Sequence, residues 1–196
     1  MVYTGGMKVI IGLGNPEKQY TGTRHNVGFE VLDLFATHHG ATFTPHPKFK
    51  ALVASLTLGG EKVLLAKPTT YYNLVGESAR AIIDFYKLAP DDVLIIHDDL
   101  ALPLGTVRTR IGGSDGGNNG LKSMNAHLGQ STARVRVGVW TDTHHSTDKV
   151  SVVLGKFSQA ERAVLSNHES TIATCIHSFI TGSFETTTHR VVSDTK

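Results

Sequence analysis

The chain has 196 residues, 40% of them hydrophobic, with 19 basic and 17 acidic side chains and a formal charge of +2. That length suits one domain with a sizeable core, and no apolar run approaches the ~20 residues that cross a bilayer. The single cysteine, Cys175, excludes a disulfide framework and a cysteine-based metal cluster. The start lacks a charged, then apolar, then small-residue leader pattern, so the expected location is the cytosol. Residues 1–6 read as a short extension ahead of a second Met at position 7.

Met7–Leu13 (MKVIIGL) is apolar and β-branched, the pattern of a buried strand. Residues 26–39 read as a helix, with Val27, Val31, Leu32, Leu34 and Phe35 at helical spacing and Gly40 as its stop. The runs 51–57 and 62–66 form a hairpin through Leu58-Gly59-Gly60-Glu61. A helix over 76–88 places Ala79, Ile82, Ile83 and Tyr86 on one face, and Val93–His97 is a second buried strand. Val107–Ile111 alternates apolar residues with Arg108 and Arg110, as a strand with one solvated face does. A glycine-dense loop, a helix over 120–128 and another alternating strand over 134–139 follow. Ser158-Gln-Ala-Glu161 is a capping box that opens a long helix to about Ile180. The polar stretch 183–196 reads as a mobile tail. Interleaved strands and helices with short links predict an α/β fold: a single-domain mixed β-sheet over 1–196 with helices on both faces.

Charge is distributed unevenly. Residues 105–136 hold Arg108, Arg110, Lys122, Arg134 and Arg136 against Asp115 alone, a locally basic face suited to phosphate. The same residues also suit the solvated faces of two ordinary strands. Three glycine patterns bear on cofactor and nucleophile chemistry. Gly12-Leu-Gly14-Asn15-Pro16 follows a strand, but Glu17 stands where a dinucleotide fingerprint has its third glycine. Gly112-Gly113-Ser114-Asp115-Gly116 matches a nucleophile elbow, yet the preceding strand carries two arginines instead of a buried apolar run. No GxxxxGK[ST] supports nucleotide hydrolysis.

Polar, amide-rich segments gather where ligands collect in α/β sheets, beyond the carboxyl ends of strands. These are Asn15, Thr69–Asn73 and His97-Asp98-Asp99, with Thr23-Arg24-His25-Asn26 at the mouth of the first helix and Asn118-Asn119 closing the glycine loop. Each asparagine alone also reads as a cap or turn former.

The stretches GLGNPEKQYTGTRHNVGFEVLD (12–33), KPTTYYNLVGES (67–78), VLIIHDDLALPLG (93–105), GGSDGGNNGLKSM (112–124), RVRVGV (134–139) and VLGKFSQAE (153–161) resemble the bacterial peptidyl-tRNA hydrolase family, in family order. The resemblance implies cleavage of the ester between a peptide and the tRNA 3′ ribose. His25 would be the base on water and Asp98 its partner. Asn15, Tyr20, Tyr72, Asn73 and Asn119 would bind substrate, and Arg108, Arg110 and Arg136 the tRNA phosphates of the acceptor stem. It implies no metal, no cofactor and no membrane partner, and a monomer is expected. The alternative is an RNA-binding homologue with weak or no esterase activity. Four positions depart from the family pattern: Tyr72 for Met, Asn118 for His, Glu17 for Gly and Trp140 for Gly.

Overall fold

Val9, Ile10 and Ile11 are fully buried because their strand lies in the middle of an eight-stranded sheet. The computed structural model describes residues 6–142 and 148–190. Most of the expected N-terminal extension (1–5) and the end of the expected tail (191–196) lie outside the described residues. In chain order the elements are β1 (Met7–Gly12), α1 (Val27–His38), β2 (Thr44–His46), β3 (Ala51–Leu58), β4 (Glu61–Pro68), α2 (Val75–Tyr86) and β5 (Val93–Pro103). They continue with β6 (Thr106–Ile111), α3 (Asn119–Leu128), β7 (Ala133–Trp140), α4 (Lys149–Leu154), α5 (Gln159–Ser166), α6 (Glu169–Ile180) and β8 (Thr188–Arg190).

The sheet order is β2-β3-β4-β1-β5-β7-β6-β8. β4, β1, β5 and β7 run parallel, while β3 and β6 pair antiparallel on either side of them. Alternation along the central strands divides the core in two. Ile10, Leu94, Ile96, Val135 and Val137 pack on one face against Leu32 and Phe35 of α1 and Ile176 and Phe179 of α6. Val9, Ile11, Val93 and Ile95 pack on the other against Val75, Ala79 and Ile82 of α2 and Leu121 and Met124 of α3. Each such buried side chain contributes roughly 1.5–3 kcal/mol relative to exposure. The mixed sheet with helices on both faces is the architecture the sequence predicts. Among the described residues no helix is long and apolar enough to cross a membrane.

Three elements differ from expectation. The long helix predicted to Ile180 is two, α5 and α6, broken at Asn167–His168. There the two ring nitrogens of the buried His168 face the carbonyls of Val164 (2.6 Å) and Gly105 (2.5 Å), tying the break to the β5–β6 turn. β5 runs on through Asp98 and Asp99 to Pro103, because β7 continues to pair with it past an irregularity between Asp99 and Pro103. The segment after Gly182, expected to be a mobile tail, supplies β8, which hydrogen-bonds along β6 from Thr106 to Arg108.

Candidate active site

The chain leaves β1 for β4 on one side and returns to β5 on the other, so the direction of strand addition reverses at β1. Ligand crevices form outside the carboxyl ends of strands at such a point. Asn15 follows β1, Tyr72 and Asn73 follow β4, and Asp98 lies on the outer part of β5. His25 enters from the 3₁₀ turn Arg24–Asn26 that leads into α1.

A glycine decides how close that turn comes. A Cβ on Gly28 would lie 2.5 Å from the Ile96 carbonyl oxygen and 2.6 Å from the Leu13 nitrogen. Only a residue without one lets the first turn of α1 sit against the ends of both β1 and β5. His25 is thereby delivered to Asp98, with Nδ1 3.0 Å from Oδ1. An ionised carboxylate only accepts hydrogen bonds, so Nδ1 carries the proton and Nε2 keeps the lone pair.

Asp98 is buried. Burial pushes its carboxyl up, but the charge and hydrogen bond of His25, helped by His97 and the Tyr72 hydroxyl, hold it below the ordinary aspartate value. The Tyr72 hydroxyl donates to the same Oδ1 at 3.0 Å and accepts from Asn118 Nδ2 at 3.0 Å. Its ring stacks on His25 with centroids 3.5 Å apart at an interplanar angle of 21°. Burial, then the charge of Asp98, push the Tyr72 hydroxyl well above the ordinary tyrosine value, so it stays neutral.

Asn15 is fixed from both sides. Its backbone exchanges two hydrogen bonds with the Asn26 side chain, at 2.9 and 2.8 Å, and its Oδ1 accepts from the Tyr72 backbone N–H at 3.2 Å. Beside it opens a cavity of ≈ 180 Å³ walled by Gly22, Asn26, Phe29, Lys67 and Thr69 among others. Asn73 and Asn119 are exposed, the latter as the first residue of α3, and Tyr20 is partly exposed. Tyr72, expected among the side chains that bind substrate, is buried, and its hydroxyl is engaged between Asp98 and Asn118.

The two alternating strands are neighbours, and Arg108 pairs with Arg136 and Arg110 with Arg134 across β6 and β7, all on one face. Arg136 is bound to Asp99 at 2.7 Å, Arg108 Nε donates to Thr188 Oγ1 at 2.9 Å, and Arg110 is exposed. Arg134 is the exception to the solvated-face reading. It is buried and donates to the carbonyls of Gly113 (2.6 Å) and Ser114 (2.7 Å) and to Asn125 Oδ1 (2.8 Å), pinning the glycine loop.

The other glycine readings fall away. Ser114 sits in an exposed loop after the antiparallel strand β6, where no elbow forms. The space beside Gly14 is filled by the ring of Phe29, 2.8 Å from where a Cβ would stand. Among the described residues, no three His, Cys, Asp or Glu side chains converge to hold a metal. The sequence marks Asn26 as a member of a polar segment and Asn118 as a departure from the family pattern, but their roles in holding Asn15 and Tyr72 follow from tertiary contacts that no local pattern signals.

A histidine backed by a buried carboxylate, with amides beside it at the carboxyl edge of a parallel sheet, is the equipment of a water-activating hydrolase. The peptidyl-tRNA hydrolase family model matches residues 9–196. Peptidyl-tRNA hydrolase of Pelodictyon phaeoclathratiforme is 49% identical over 160 residues, covering 81% of this chain and 84% of that one. The Brevibacillus brevis enzyme of that name is 51% identical over 158 residues, covering 80% and 82%. The crystal structure of peptidyl-tRNA hydrolase from Acinetobacter baumannii superposes with a TM-score of 0.83 at 34% identity, covering 90% of this chain and 89% of that one. The chain belongs to the peptidyl-tRNA hydrolase family.

Proposed function

We infer that this chain hydrolyses the ester joining a peptide, or an N-blocked amino acid, to the 3′ ribose of tRNA, with His25 as general base on water. The observation that carries this reading is the 3.0 Å contact between His25 Nδ1 and the buried Asp98 carboxylate. An ester is already activated, so water deprotonated by an imidazole is a sufficient nucleophile. The Asp98 carboxylate fixes the tautomer and stabilises the imidazolium as the proton arrives at Nε2. In this reading the amides of Asn15, Asn73 and Asn119, with Tyr20, hold the ester and the peptide. One such donor to a developing oxyanion is worth ~10²–10³ in rate. The cavity beside Asn15 offers room for a residue of the peptide.

Arg108, Arg110 and Arg136 grip phosphates of the acceptor stem, giving affinity without reading sequence. Arg110, the most exposed of the three, supports that role most directly, whereas Arg136 shares its charge with Asp99. A neutral amide is accepted where a free aminoacyl-tRNA would bring a charged amine. The enzyme works as a cytosolic monomer without metal or cofactor. Its one thiol, Cys175, is buried and pushed up to about 11 by that burial, which suits a chain that forms no disulfide.

The test is release of tRNA from N-acetyl-aminoacyl-tRNA by the wild type and by His25→Ala. Robust turnover that falls by orders of magnitude in the variant is the expected result. Tight RNA binding without turnover in either protein would leave only the RNA-binding alternative.

A further inference from the structure

Tyr72 and Asn118, two of the four positions where this chain departs from its family's pattern, are in contact with each other and with Asp98. The direction of every hydrogen bond between them is fixed by donor chemistry. The backbone N–H of Leu121 donates to one arm of the Asn118 amide at 3.0 Å, so that arm is the oxygen. The other arm is then the NH₂ group, which donates to the Tyr72 oxygen at 3.0 Å. A phenol has one proton, and with its oxygen accepting from Asn118 that proton points at Asp98 Oδ1, 3.0 Å away. The same oxygen faces His25 Nδ1 at 3.0 Å. A line of donors therefore runs from the first turn of α3 through Asn118 and Tyr72 to Asp98 Oδ1, which accepts the His25 Nδ1–H from the other side.

We propose that Tyr72 and Asn118 form a positioning relay that sets the basicity of His25 and holds its ring in place. The hydroxyl withdraws electron density from Asp98 Oδ1, so the carboxylate stabilises an imidazolium less than it would unaided. The ring supplies the second constraint, because its 3.5 Å stack denies the imidazole rotation about its side chain. Asn118 is what aims the hydroxyl: without the amide donor the tyrosine proton is free to turn elsewhere. The titratable and charged groups around the relay are Asp98, Asp99 and His97 on β5, His25 before α1, and Arg134 on β7 behind His97. None of these but Tyr72 and His25 hydrogen-bonds an Asp98 side-chain oxygen.

The inference rests on His25 being the base, so the experiment has one readout that needs no turnover. Tyr72→Phe keeps the stack and removes the hydroxyl. Asn118→Ser keeps an oxygen to cap α3 and removes the amide donor. Ring titration of His25 is followed by NMR in each variant, alongside the pH profile of kcat/KM on N-acetyl-aminoacyl-tRNA. Tyr72→Phe is expected to move both the ring titration and the acid limb up by about half a unit to one unit. Asn118→Ser shifts the titration the same way, and adds nothing once Phe stands at position 72. Should Tyr72→Phe fail to fold, Asn118→Ser carries the same readout. A His25 titration unmoved in the variants, or two effects that simply add, overturns the relay. A shifted titration in a protein with no turnover keeps the relay and removes the proposed hydrolase activity.

Discussion

The buried pair Arg24–Glu161 ties the turn that carries His25 to the start of α5, and its removal is a demanding test of how the site is held. The side chains are 8% and 12% exposed, and Arg24 Nη2 reaches both carboxylate oxygens at 2.7 and 2.9 Å. The same carboxylate accepts from the Ser158 N–H at 2.7 Å, completing the capping box of α5, and the guanidinium lies 5.3 Å from the centre of the Phe157 ring. Glu161→Ala leaves a guanidinium in the interior without its counter-charge, which typically costs about 3–5 kcal/mol. At about 2–4 °C per kcal/mol for a chain of this size, Tm falls by about 6–20 °C. Thermal unfolding at neutral pH measures it. Burial pushes the Glu161 carboxyl up, yet the bonds from Arg24 and Ser158 bring it below the ordinary glutamate value. Its contribution is therefore complete above the unfolded value near ~4.3 and is lost as pH falls through the lower folded value, so the gap between wild type and variant closes in acid. Replacing both partners by Arg24→Met and Glu161→Leu restores much of the loss, since no charge is then stranded. A drop within ~1 kcal/mol of wild type, the range of a surface ion pair, would refute this account.

Two further outcomes follow from the geometry. A Cβ on Gly120 would stand 2.5 Å from Tyr72 Cε1 and 3.0 Å from Leu13 Cδ1, so Gly120→Ala forces the ring off His25. It should destabilise by about 1–3 kcal/mol and lower kcat at once; a stable variant with unchanged kcat would show that the ring has room to move. Arg108→Ala should raise KM for a tRNA substrate, reduce the slope of its salt dependence by about one and spare a small ester; equal effects on both substrates would count against a phosphate clamp.

Where local pattern and tertiary structure agree, the elements were legible. The central strands announce themselves as unbroken Val and Ile runs because both faces are covered, and the hairpin of β3 and β4 follows from its two glycines. Arg134 shows the limit. Alternation marks it as solvated, but the glycine loop folds back and lays three acceptors over it, an event set by residues 113–125 and invisible in the period of the strand. The break at His168 is similar, since neither Gly nor Pro marks it and the cause is a carbonyl 63 residues away. The site was readable as a set of polar strand ends, and the resemblance assigned its members. The hidden part was which asparagines face outward, as Asn73 and Asn119 do, and which hold other residues, as Asn26 and Asn118 do.

The separations in sequence have a consequence of their own. His25 meets Asp98 across 73 residues, Tyr72 meets Asn118 across 46, and Arg24 meets Glu161 across 137. Contacts of that span close late in folding, because a long loop must be ordered before they are made. While this polypeptide is being synthesised it is itself a peptide esterified to tRNA, a member of the class of molecules its family is named for. A nascent chain that has reached Asp98 still lacks Asn118, β7 and the anchor at Glu161. On the function proposed above, a nascent chain this short lacks a complete site with which to hydrolyse its own ester.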